Sequence, residues 1–127
     1  MPVQWTISHT TRLVIAVAKD ELCLRDIETY LDGVVTADAL GYRKIFDLTN
    51  AVPQLEDDDM MALGARIRAY RSLGPIGPLA IVARTPASQE RARMFAALAD
   101  ADRPVKIFRE LHKARQWLDE LDTLPGF

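Results

Sequence analysis

The apolar residues of this chain change period repeatedly, and that alternation constrains the fold more than anything else in it. Short unbroken apolar runs give way to stretches spaced at three and four, then return. "VQWTI" (3–7) and "RLVIAVA" (12–18) flank the polar turn "SHTT" and predict a β-hairpin. Leu24, Ile27, Leu31, Val34 and Val35 then form one helical face, with Gly41 as the expected stop. "KIFDL" (44–48) reads as a buried strand. The next helix starts at about Glu56, turns Met60, Leu63, Ile67 and Tyr70 inward, and stops at Gly74. "LAIVA" (79–83) is another strand. Thr85 then caps a helix that has Pro86 in its first turn and buries Phe95, Leu98 and Ala99. "PVKIF" (104–108) makes the last strand, and Leu111, Ala114, Leu118 and Leu121 lay a final helix on the sheet.

The resulting order is β-β-α-β-α-β-α-β-α. It predicts an α/β fold with a mixed, mostly parallel five-stranded sheet and an antiparallel first strand. No linker or repeat divides the sequence, so residues 1–127 read as a single domain. A composition of 49% hydrophobic and 27% charged residues suits a soluble core-forming chain. The net charge of −2 and the lack of a basic stripe argue against nucleic acid as a partner. The apolar run Leu13–Ala18 is too short to cross a bilayer or serve as a signal sequence, so the expected location is cytoplasmic, with no integral membrane segment. Cys23 is the only cysteine, which rules out an intrachain disulfide, and it is expected to be a small buried residue where the first helix begins.

Two polar groupings invite a functional reading. Asp47, followed by Thr49 and Asn50, is expected where a buried strand ends, and the carboxyl ends of parallel strands are where open α/β sheets bind ligands. Arg84, Thr85 and Arg109 follow the next strands, so with Asp47 they would line a crevice for an anionic or hydroxylated ligand. Their alternative role is to end strands in water. Glu56–Asp59 is a run of four acids. Consecutive side chains point in different directions, so a helix start explains the run better than a metal ion does, with Arg66, Arg68 and Arg71 complementing the dipole at the other end. There is no Gly-rich phosphate loop, Ser-His-Asp order or paired-histidine motif, so neither enzyme activity nor a cofactor is expected. Tyr30, Tyr42, Met60, Met61, Tyr70, Met94 and Trp117 are candidates for the wall of a greasy pocket, with ordinary core as their alternative.

Pieces of the chain resemble a response-regulator receiver: the acidic pair after "LVIAVA", Asp47, Thr85 and Lys106. A receiver has five strand–helix units, and here one helix alone separates Asp20 from Asp47, so the count fails. The order is more similar to the STAS superfamily and its SpoIIAA-like bacterial proteins. That resemblance is carried by "VAKDELCLRDIETYL", "YRKIFDLTNA", "LAIVA" and "VKIFRELHKARQWLDEL". It implies a regulatory or interaction module, without the phosphorylatable serine of the sigma-regulatory antagonists, because only Glu56–Asp59 occupies the switch region. It also implies, through the likeness of this branch to CRAL-TRIO domains, a carrier or sensor of a small apolar ligand or lipid. The expected partner is thus a protein or a small apolar ligand, and a homodimer is compatible with either. The second helix, with adjacent methionines and Gly64 at its centre, is expected to be the mobile functional element.

Overall fold

The structure is a computed structural model that describes residues 2–99 and 103–122. Strand β1 (Val3–Ser8) and β2 (Leu13–Leu22) form the hairpin, and α1 (Leu24–Thr36) leads to β3 (Arg43–Pro53). Helix α2 (Asp57–Tyr70) and a 3₁₀ turn (Arg71–Leu73) lead to β4 (Leu79–Val82). Then α3 (Pro86–Leu98), β5 (Val105–Phe108) and α4 (Leu111–Asp122) complete the order. The strands lie side by side in sequence order, β1-β2-β3-β4-β5, with β1 antiparallel to β2 and every later pair parallel.

That order decides where the helices go. Parallel crossovers are right-handed, so a sheet that always grows in one direction places every connecting helix on the same face. Ile27, Tyr30 and Leu31 of α1, Leu63 and Ile67 of α2, and Ala92 of α3 accordingly share one core with Val14, Ala16, Leu48, Leu79 and Ile81. Helix α4 is no crossover. Its Ala114, Leu118 and Leu121 cover the other face against Ile45, Ala80 and Val82, while Leu111, at 45% exposure, turns away from it.

Two boundaries, and the burial of one residue, differ from the sequence expectation. Helix α1 stops well before Gly41, because Asp38 takes the left-handed conformation (φ 56°) usually given to glycine. Asp38 N–H donates to the Val35 carbonyl and Ala39 N–H to the Val34 carbonyl, both at 3.0 Å, which closes the last turn. Strand β3 runs on past Leu48 to Pro53, since β2 continues beyond a register shift between Val17 and Lys19 and pairs Asn50 with Lys19. Cys23 is exposed rather than buried. It stands one residue ahead of α1, where its N–H donates to Asp26 Oδ2 at 3.0 Å.

Helix α2 is seated unusually. It lies chiefly on α3 and reaches α1, and its backbone makes little contact with any strand. Its acidic start is a helix-terminal device, as expected: Glu56 N–H donates to Asp59 Oδ2 at 2.9 Å. Gly64 is no hinge. A Cβ there would stand 2.9 Å from both the Cβ and the carbonyl oxygen of Leu98, so the missing side chain is what lets α2 approach α3. Gly64→Ala should therefore lower the unfolding free energy by about 1–3 kcal/mol, despite alanine's better helix propensity. Urea denaturation checks this, and a stabilised variant would show that the approach is not limiting.

Candidate functional site

Alternation along β3 sends Lys44, Phe46 and Leu48 toward the three-helix face and Ile45 toward α4. With α2 held off the sheet by its neighbours, a cavity of about 80 Å³ remains between Phe46, Leu79 and Ile81 below and Met60, Leu63 and Ile67 above. Phe95 of α3 and Leu31 of α1 also line it. The wall is almost entirely aliphatic and aromatic, but each end carries polar groups.

At one end stand Lys44, Arg103 and Tyr30. Lys44 is 3% exposed, a depth at which lysine is rarely found. Its Nζ donates to the carbonyl oxygens of Leu40 and Tyr42, the latter at 2.7 Å. Burial, and then the nearby Arg103 charge, pull its pKa down to about 7. Arg103 precedes β5 and donates from Nη1 to the Gly77 carbonyl at 3.2 Å, while its Nε–H is buried without a partner among the described residues. Burial lowers its pKa to about 10, with the Tyr30 hydroxyl acting in the opposite direction.

The Tyr30 ring is wedged edge-on between Trp5 (5.6 Å) and Phe46 (5.3 Å). Its hydroxyl is buried with no hydrogen-bond partner among the described residues, and burial raises its pKa. An orphaned buried hydroxyl costs about 1–3 kcal/mol. Tyr30→Phe should consequently leave the fold intact and raise its stability by about 1 kcal/mol. Thermal denaturation measures this, and a clear loss would mean that the hydroxyl is satisfied in solution.

The other end lies beyond Pro53. There Arg91 of α3 donates to the Leu55 carbonyl (3.3 Å) and pairs with Asp57, the first residue of α2, at 3.1 Å. This bridge ties the start of the α2 roof to α3.

The sequence candidates scatter. Met60 lines the cavity, but Met61, one residue on, is 58% exposed. Tyr70 packs at the edge of the core and accepts a hydrogen bond from Arg66 at 3.2 Å, outside the cavity wall. Trp117 belongs to the opposite face, its ring tilted on Phe108 at 5.6 Å. Asp47 does not end its strand: it lies inside β3, and its Oδ1 accepts from Thr49 N–H (2.9 Å) and Thr49 Oγ1 (2.6 Å). Asn50, Arg84 and Arg109 are exposed, and Thr85 is occupied capping α3 through Ser88 N–H at 3.1 Å. The expected crevice requires a point where strand order reverses, and a sequential sheet has none.

Lys44, Arg91 and Arg103 were not among the residues expected from sequence. Lys44 was detectable, since it shares parity with Phe46 and Leu48 and so must face the core. Nothing local marks the other two.

No family model matches the sequence, and no curated protein does. Among solved structures, the chain is similar to a crystal structure of an uncharacterised protein of the DUF3478 family with a SpoIIAA-like fold, from Shewanella loihica PV-4. The match has a TM-score of 0.62 at 17% identity and covers 91% of this chain and 93% of that one. The described sheet and its four helices thus define a mixed α/β domain. Its fold is SpoIIAA-like. Among the described residues, no helix is long and apolar enough to cross a membrane.

Proposed function

We propose that this domain is a non-enzymatic carrier or sensor that holds a small apolar ligand beneath α2. The observation that carries the reading is the cavity itself, walled by apolar side chains from β3, β4 and all three helices of one face. Natural interiors pack densely and leave few voids larger than a water molecule, so a lined space of this kind is the default binding-site hypothesis. An engineered apolar cavity of about 150 Å³ admits benzene. The present 80 Å³ accepts a few carbon atoms as it stands, and more when the flexible Met60 side chain or the roof shifts. The alternative, a docking module for a protein, has less support. Among the described residues, the exposed large apolar side chains Val52, Met61, Leu73 and Leu111 come from β3, α2, the 3₁₀ turn and α4, four separate elements.

The test is hexan-1-ol binding. At ten times its Kd the alcohol should raise the unfolding free energy by about 1.4 kcal/mol, visible as a shift in Tm. Ala92→Leu, which puts three more carbons against the cavity, should remove the shift. Native mass spectrometry of protein purified from cells should show a small bound species. An unshifted Tm in the wild type would sink the reading.

A further inference from the structure

Resting on the cavity reading above, we propose that the ligand is an aliphatic carboxylate whose head is held by Lys44, Arg103 and Tyr30 while its chain lies against Phe46, Leu63 and Phe95. The argument begins with an imbalance of charge. Three cationic side chains border one small apolar space; Arg91 is paired with Asp57 outside it, but among the described residues lining it none is an Asp or Glu that could pair with Lys44 or Arg103. Buried charges are ordinarily paired, because an unpaired one forfeits its hydration for nothing.

The donors are also unspent. Arg103 Nε–H and the Tyr30 hydroxyl are buried with no partner among the described residues. A protonated lysine has three N–H donors, and the Leu40 and Tyr42 carbonyls accept two of them. That leaves three donors at one end of the space, matching the acceptor-only character of a carboxylate with its two oxygens. The rest of the wall offers only carbon, apart from Arg91 at the far end, which is engaged with Asp57, Glu90 and the Leu55 carbonyl.

Protonation of Lys44 makes the site pH-sensitive. Its amine gains its charge as pH falls through about 7. Among the described residues lining the cavity, the titratable groups at its end are Arg103, which stays cationic there, and Tyr30, which stays neutral. The carboxylate itself remains ionised well below that range. Affinity for the anion is therefore full on the acid side of 7 and falls about tenfold per pH unit above it.

The experiment compares hexanoate with hexan-1-ol by calorimetry between about pH 6 and about pH 9. At the acid end hexanoate should bind at least about tenfold more tightly than the alcohol, and the advantage should shrink as pH rises while alcohol affinity stays level. Lys44→Met should abolish both the preference and its pH dependence while keeping alcohol binding, which shows that the cavity is intact. Arg103→Gln should weaken hexanoate about tenfold and leave the pH dependence in place. Ala92→Leu should block both ligands, which separates the cavity from surface binding. Equal affinities for hexanoate and hexan-1-ol in the wild type would overturn the carboxylate assignment and leave the apolar cavity standing. Binding of neither would overturn both.

Discussion

Gly77→Ala should lower Tm by about 10 °C or more, while Gly41→Ala, in the loop it packs against, should change it by only a few degrees. A Cβ on Gly77 would collide with the main-chain carbonyl oxygens of both Tyr42 and Gly41. A flexible side chain can move aside, but these atoms belong to the backbone. The Tyr42 carbonyl is held in turn by Lys44. Gly77 is also fixed on both of its own polar groups: its N–H donates to the Leu40 carbonyl at 3.0 Å and its carbonyl accepts from Arg103 at 3.2 Å. Relieving the clash must therefore stretch the hydrogen bonds that floor the cavity, at a cost of about 3 kcal/mol or more. A Cβ on Gly41 meets nothing nearer than the Pro75 carbonyl oxygen at 3.5 Å, an ordinary contact. Scanning calorimetry of the two variants side by side decides the matter, and equal Tm values would mean that the loop yields freely.

The second large effect is on the pH dependence of folding. The Lys44 pKa is about 7 in the folded chain against its ordinary 10.5 when unfolded. Between these values the unfolded chain binds the proton that the folded chain has released, so stability rises with pH. Below about 7 both states are protonated and the full penalty of the buried charge remains. Denaturation in urea should thus give an unfolding free energy that climbs from about pH 7 toward about pH 10, with a slope approaching 1.4 kcal/mol per pH unit. Tyr30, with its raised pKa, works in the opposite sense only above its ordinary value of 10, so the window belongs to Lys44. Lys44→Met should flatten the climb. Its net stability at one pH is less informative, because two backbone carbonyls lose their donor. A wild-type curve that is level from 7 to 10 would refute the assignment.

Element type was legible in the sequence wherever period and punctuation agreed. Thr85 and Pro86 mark the start of α3, the acids of 56–59 the start of α2, and the continuous run of β4 a fully buried strand. Ends set by backbone conformation were not legible. Asp38 closes α1 by adopting a glycine-like φ, and no composition rule would choose it over Gly41. The site was harder still. Met60 was found because helical spacing turned it inward. Trp117 was misplaced because spacing gives a face but not which side of the sheet that face meets, and Tyr70, on the correct side, stands at the last position of α2, past the cavity wall. Arg103 lay outside reach altogether, since a charged residue in the turn before a strand looks solvated until the neighbouring crossovers are placed around it.

The sequential strand order has one further consequence. Tyr30 lies in the crossover between β2 and β3, Lys44 at the start of β3, and Arg103 in the crossover between β4 and β5. No fragment of the sheet brings the three together, because the polar end of the cavity exists only when every parallel strand has docked. A ligand held there is bound by the whole domain or not at all. Its binding energy therefore protects against global unfolding, and in hydrogen exchange it would slow the most protected amides of β2, β3 and β4 together, rather than quieting one loop.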